Sequence, residues 1–224
     1  MNKFISFSLW GKNPKYLIGA VKNAQYIAMQ MPEWKAIFYI AYDVDELIIN
    51  KLKQFNAIIK IKDDTINVWS PSFWRFEAIS EYKDDIVICR DCDSRISIRE
   101  TVAIREWLDS NKKFHIIRDH PGHKFVIMAG MFGIKTDFIN FDMLMENFLN
   151  QITDFPYIID QIFLRDIIFP LVEVDSFIHD EFGGFNKIKY ERKNLEYIGE
   201  PLTAKDEIDN IEYTNILKKV LEAN

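Results

Sequence analysis

Short apolar runs alternate with longer stretches of helical period along most of the chain. KFISFSLW (3–10), KAIFYIAY (35–42), AIIKI (57–61), DIVICR (85–90) and KFHIIR (113–118) are rich in Ile, Val, Phe and Tyr, which predicts buried strands. Between the first two, positions 14–30 carry Leu17, Val21, Ala24 and Ala28 on one helical face. Further helices are expected over 44–55, 73–82 and 98–108. Strands that alternate with helices predict βαβ units, because parallel neighbours need a crossover and the crossovers cover both sheet faces. The fold class expected is therefore α/β, a sandwich with a central, mostly parallel sheet flanked by helices.

The second half is less regular. VIMAGMFGIK (126–135) reads as a strand in which Gly130 and Gly133 let something approach the backbone. Helices are expected over 139–150 and 158–169. DSFIHDEFGGFN then leads into a charged segment, KIKYERKNLEY, and a last amphipathic helix with Ile208, Ile211, Leu217 and Leu221. With no repeat, low-complexity tract or long Gly/Ser linker, the pattern predicts a single domain over 1–224, with 186–224 as its C-terminal charged segment and helix.

Composition narrows the function. With 224 residues, 48% of them hydrophobic and 14% aromatic, the chain can bury a substantial core. A net charge of -6 argues against a surface built for the phosphate backbone, so no nucleic-acid partner is expected. The N-terminal apolar run is short and fits a first strand better than a secretory signal. No stretch reaches the roughly 18 apolar residues of a membrane span. Two cysteines give no disulfide framework, which points to a reducing, cytoplasmic setting.

The chemistry concentrates in DIVICRDCDSRIS, where a strand breaks into Asp91 and Asp93 interleaved with Cys89 and Cys92. In an open parallel sheet, ligand-binding residues sit just past the carboxyl ends of strands. Two carboxylates there can hold a hard divalent ion that shares the phosphates of a nucleotide. A solvated turn is the plainer alternative. A redox pair is disfavoured, since such a pair needs a thiol at a helix N-terminus and Cys89 falls inside a strand. The chain holds a second Asp-x-Asp at Asp43 and Asp45; it enters a helix directly, so one of the two serves as its cap.

These motifs carry a resemblance. SLWG, SFWRFEAI, DCDSR, RDHPGHKFVIMAGMFGIK, DQIFL and IHDEFGG, in that order over roughly residues 4 to 185, resemble small bacterial glycosyltransferases of the GT-A (Rossmann-like) fold, with some likeness to the family 8 galactosyl- and glucosyltransferases. The resemblance implies a hexosyltransferase-like, metal-dependent enzyme. It would move a sugar from a nucleotide-diphosphate donor to a glycan or lipid-linked acceptor in surface polysaccharide synthesis, in the cytoplasm or at the inner membrane surface. The rival reading is a noncatalytic protein of the same fold that binds a nucleotide or nucleotide sugar.

The site implied is as follows. Ser8, Trp10 and Gly11 lie near the nucleoside. Arg75 reaches the diphosphate or donor sugar, unless it is a surface partner of Glu77 or Glu81. Asp91, Cys92 and Asp93 bind the nucleotide sugar, with Asp91 and Asp93 holding Mn2+ or Mg2+ and His179 or Asp180 as a third ligand. Gly130 lines the acceptor side. Asp160 orients donor or acceptor beside Gln161, unless it is only a first-turn acid of a helix. His120 and His123 are loop residues near the donor; a metal site with His115 is the alternative. Lys187, Lys189, Arg192 and Lys193 form a basic cluster that faces solvent, a diphosphate or an anionic membrane surface. Trp69, Phe73 and Trp74 suit either sugar stacking or core packing.

Overall fold

The computed structural model describes residues 1–63, 70–153 and 156–223. Among the described residues seven strands form one sheet: β1 (Lys3–Leu9), β2 (Lys35–Ala41), β3 (Ile58–Lys62), β4 (Ile86–Arg90), β5 (Phe114–Arg118), β6 (Met131–Lys135) and β7 (Ser176–Asp180). Their order is β3-β2-β1-β4-β6-β5-β7. β1 pairs parallel with β2 and β4, β2 with β3, and β5 with β7, while β6 runs antiparallel to β4 and β5. The sheet is thus mostly parallel, as expected, with one reversed strand. Both of its faces are buried, and each strand contributes to both. On β2, Ala36, Phe38 and Ile40 pack into the core that holds Trp34 and Trp107, and Ile37, Tyr39 and Ala41 into the one that holds Phe76, Phe132 and Phe163.

The helices follow the sequence pattern with local exceptions. α1 (Pro14–Gln30) and α2 (Glu46–Gln54) are capped by Asn13 and Asp45, whose side chains accept backbone N–H groups at 3.0 and 2.7 Å. The helix expected over 73–82 is instead a 3₁₀ segment, Ser70–Phe76, that tightens before the short α3 (Glu77–Glu81). α4 (Ile98–Asp109) and α5 (Phe141–Gln151) form as the periodicity predicts.

The helix expected over 158–169 is interrupted. α6 (Ile159–Phe163) passes into a π-helical turn, Leu164–Ile168, before α7 (Phe169–Val172). Pro170 explains the break: it has no N–H to donate, and its ring crowds the carbonyl four residues back. Residues 126–130 form a loop rather than the first half of a strand, and residues 176–180, given no element by the pattern, form the edge strand β7. α8 (Ile211–Glu222) closes the fold.

From β1 the chain builds outward through β2 and β3, then returns to the other side of β1 as β4. The carboxyl ends of β1 and β4 therefore flank a point where the strand order reverses, the place where open α/β sheets leave a crevice for ligands.

Candidate active site

A cleft of about 480 Å³ opens at that crevice. It is lined by Ser8, Trp10, Gly11, Arg75, Asp91, Asp93, Gly130, Asp160 and Gln161, together with residues that the sequence reading did not single out. Segments spread over 150 residues of chain thus converge at one edge of the sheet. A larger cavity, about 620 Å³, lies beneath the C-terminal segment and contains none of these residues. Its Arg95 and Arg99 are occupied by Asp206 and Asp119.

Arg75 organises the cleft. Its side chain is 5% exposed, and one guanidinium nitrogen meets Asp91 at 2.5 Å while the other meets Asp160 at 2.6 Å. Its backbone N–H donates to Ser8 Oγ at 2.9 Å, which fixes the arginine to the end of β1. The surface pairing with Glu77 or Glu81 does not form; those acids pair with Lys62 and Lys60. A buried guanidinium needs such partners, since removing it from water is costly unless its charge is answered by well-placed acceptors.

The two acids of the Asp-x-Asp differ. Asp91 has a side chain 46% exposed, so it is the carboxylate most open to the cleft. Asp93 is 17% exposed and pairs with Lys15 at 3.0 Å; Lys15 also reaches Asp209 of the C-terminal segment at 3.1 Å. Burial and the charge of Asp91 raise the Asp93 pKa against the pull of Lys15. Burial likewise pushes Asp160 up to about 6, opposed by Arg75.

The loop that carries both acids is pinned from several sides. The buried Asn23 amide donates to the Ser94 carbonyl at 2.8 Å, and its carbonyl accepts the Ile96 N–H at 3.1 Å. Arg90, wholly buried, donates to the Gly130 carbonyl and to Ser94 Oγ and pairs with Glu100 at 3.0 Å. Close approach makes two glycines necessary. A Cβ on Gly130 would lie 1.9 Å from Asp91 Oδ2, and one on Gly19 would lie 2.0 Å from the Cys92 carbonyl oxygen.

Several expected residues lie elsewhere or act differently. Cys92 is buried behind the loop, and its thiol donates to the Ser8 carbonyl at 3.3 Å. Burial raises the pKa of Cys92 and of Cys89, which disfavours any thiolate chemistry. His179 is the main correction. It is fully buried in β7 and has both ring nitrogens occupied, Nδ1 by His115 and Nε2 by Glu106, each at 2.9 Å. Its register opposite Ile117 turns it into the sheet interior, away from the cleft. Asp180 pairs with Arg118 at 2.7 Å and accepts the N–H groups of Phe182 and Gly183, so neither residue supplies a third ligand.

His115 stacks on Trp107 and is separate from His120 and His123; among the described residues no group of three or more His, Cys, Asp and Glu could hold a metal ion. Phe73 and Trp74 are buried packing residues, and Trp69 lies outside the described residues. The basic cluster is not one solvated face: Arg192 is bound to the buried Asp119, while Lys187 donates to backbone carbonyls.

Missed by the sequence reading were Tyr16, Ser72, Tyr157 and Gly199, all on the cleft wall, and Lys15, which pairs with Asp93. Gly199 belongs to a C-terminal strap whose Leu202 N–H donates to the Asp93 carbonyl at 2.8 Å. Asp43, expected as a possible cap, instead accepts the Gly11 N–H at 3.2 Å. No signal in the local sequence marks the strap, because its contacts span more than a hundred residues.

The chemistry of the donor set can be judged on this geometry. Three carboxylates, Asp91, Asp93 and Asp160, line the cleft with the cations Arg75 and Lys12; Arg75 pairs with Asp91 and Asp160, and Lys15, behind the wall, pairs with Asp93. Ser72 Oγ, Gln161 Oε1 and Arg75 Nε are buried with no hydrogen-bond partner among the described residues, and all three residues line the cleft. Buried polar atoms are rarely left unpaired, so these are places for a polar ligand. A divalent ion of the Mn2+ or Mg2+ kind binds through one or two carboxylates plus substrate phosphates, which Asp91 and Asp93 fit without a histidine.

Similarity to solved structures is of the same architecture. A putative glucose-1-phosphate thymidylyltransferase from Bacillus anthracis, in complex with sucrose, superposes with a TM-score of 0.50 at 10% identity, over 80% of this chain and 87% of that one. The shared property is the fold. A glycosyltransferase involved in glycosylation of the major capsid of PBCV-1 gives a TM-score of 0.47 at 16% identity, over 79% of this chain and 81% of that one. Glucosyl-3-phosphoglycerate synthase from Mycobacterium tuberculosis, in complex with Mn2+, UDP-glucose and phosphoglyceric acid, gives 0.48 at 13% identity, over 79% and 69%. No protein-family profile matches the chain, and no curated protein matches it by sequence. The sheet flanked by helices is the GT-A-like, Rossmann-like sandwich expected from the sequence.

Proposed function

We propose that the chain is a metal-dependent glycosyltransferase that moves a sugar, of hexose type, from a nucleotide-diphosphate donor to a hydroxyl of a glycan or lipid-linked acceptor. The observation that carries this reading is the Asp91–Arg75–Asp160 bridge at the strand-order reversal, beside the unpaired Ser72 and Gln161 atoms. It is a cleft equipped for an anion at one end and for hydroxyls at the other.

In this reading the nucleoside lies over Ser8, Trp10 and Gly11, at the end of β1. Asp91 and Asp93 hold the divalent ion, which supplies charge stabilisation for the departing diphosphate. Arg75 fixes the positions of Asp91 and Asp160 relative to each other, and its buried charge adds to the field on the diphosphate. Asp160 accepts hydroxyl hydrogen bonds from the sugar and holds the Gln161 N–H at 2.8 Å, which orients the adjoining amide. The Gln161 carboxamide then contacts the reacting face of the sugar. An acceptor entering on the side of Gly130 meets the anomeric carbon of the bound sugar.

The reading is tested by a donor screen. Purified protein is melted with UDP-, GDP- and dTDP-sugars and with nucleoside triphosphates, each with Mn2+ and with chelator, and then assayed for donor hydrolysis and transfer. One sugar diphosphate should raise the melting temperature only with metal and be turned over. Asp91→Ala and Asp93→Ala should lose turnover by at least about a hundredfold with the fold intact, as removal of charge stabilisation at a reacting site does. Metal-enhanced binding with no turnover would favour the noncatalytic binding protein, and full activity of either variant would refute the assignment.

A further inference from the structure

The loop after β5 folds back on its own first residue. The Asp119 backbone N–H lies 3.1 Å from His123 Nδ1. A backbone amide nitrogen only donates, so Nδ1 is the acceptor and the neutral ring carries its proton on Nε2. Burial, reinforced by His120 and by the guanidiniums of Arg192, Arg118 and Arg90, holds the ring down to about 3. The ring therefore stays uncharged from mildly acid to alkaline pH. Nε2–H has no hydrogen-bond partner among the described residues, and His123 lines the catalytic cleft with Gly130, Met131 and Gly199.

The surroundings indicate what such a donor meets. The cleft that His123 lines with Gly130 is the one into which Asp91 opens, and Gly130 abuts Asp91 so closely that an added Cβ would lie 1.9 Å from its Oδ2; the ring thus shares the cleft with the carboxylate assigned to the metal and its diphosphate. A fixed N–H with no acceptor of its own fits an oxygen of that diphosphate, because a hydrogen bond to a charged acceptor is stronger than one to a sugar hydroxyl. We propose that His123 is a ligand-contacting residue whose Nε2–H donates to a phosphate oxygen of the donor's nucleoside diphosphate. The identity of that ligand rests on the glycosyltransferase reading. As the sugar leaves, charge grows on the diphosphate, and a dipole already oriented toward it stabilises that charge without reorganising. A neutral imidazole does so without surrendering its proton.

Two substitutions separate this role from a structural one. His123→Gln places an amide N–H near the Nε2 position, whereas the shorter amide of His123→Asn reaches only the Nδ1 position and keeps the contact with Asp119. Calorimetric titration with UDP, GDP and inorganic pyrophosphate, each with Mn2+, is compared across wild type and both variants, alongside their ligand-free melting temperatures. The expected result is that H123Q binds within about threefold of wild type, while H123N loses about tenfold to a hundredfold, the worth of a hydrogen bond to a charged group. H123N, which keeps the Asp119 contact, should melt no lower than H123Q without ligand, so a loss of affinity confined to H123N is not a loss of folding. Unchanged affinity in H123N, or equal losses in H123Q and H123N, overturns the proposal while leaving the functional reading in place. Wild-type protein that binds none of the three probes overturns the functional reading and this proposal with it.

Discussion

Asp91 shows how much of this site depends on what a single residue is denied. Its carboxylate is half open to the cleft because Arg75 holds one oxygen and Gly130 leaves room for the other. In Gly130→Ala the new Cβ must displace Asp91 Oδ2, since 1.9 Å is far inside contact distance. Metal-enhanced donor binding should fall by at least about tenfold, with melting lowered by only a few degrees, because the clash is met by a side chain beside open solvent. Titration calorimetry paired with a melting curve checks both halves.

His123 gives a prediction on stability at the same scale. Its folded pKa, about 3, lies below the unfolded value near 6.5, so below that value the unfolded chain binds a proton that the folded chain does not. The histidine's share of stability is therefore intact above about pH 6.5 and is lost as the pH falls toward 3. Asp160, raised to about 6, works in the opposite sense, so the comparison must be made between variants. From pH 7 to pH 5 the wild type should lose about 2 kcal/mol relative to H123Q in urea denaturation, given roughly 1.4 kcal/mol per pH unit well below the unfolded pKa.

At the level of elements, the C-terminal strap depends on a buried clasp at the end of β5. The Asp119 carboxylate, wholly buried, accepts from Arg99 at 2.9 and 3.0 Å, from Arg192 at 2.6 Å and from the Ile198 N–H at 2.9 Å. Asp119→Ala leaves two guanidiniums without their shared anion and should cost about 3–5 kcal/mol by chemical denaturation. Limited proteolysis should then cut within the strap, which in the wild type is held next to Asp93. Elements of this kind were only partly legible beforehand. The strands and long helices declared themselves because buried apolar runs and 3.6-residue spacing are local properties, and the Asp-x-Asp was legible because it ends a strand. Arg75 was not readable as a bridge: Asp91 lies 16 residues away and Asp160 lies 85. His179 was misread for a related reason. Residue type suggested a ligand, but the register of β7 against β5 decides which way the ring points.

The whole molecule joins a doubly covered sheet, a crevice at its strand-order reversal and a strap that walls the crevice from the C-terminal side. Among the described residues no helix is long and apolar enough to cross a membrane. A fold does not fix a function, so function has to be argued from side chains rather than from topology. Here the side chains set carboxylates beside a buried arginine, unpaired hydrogen-bonding atoms and a neutral histidine. The most direct test is diffraction from crystals grown with Mn2+ and the nucleoside diphosphate chosen by the donor screen, using the anomalous signal of manganese. A peak joined to the carboxylates of Asp91 and Asp93 and to the phosphates, with the nucleoside over Ser8 to Gly11, is the predicted result. A manganese ion bound elsewhere, with both aspartates still held by Arg75 and Lys15 and no phosphate in the cleft, would contradict it.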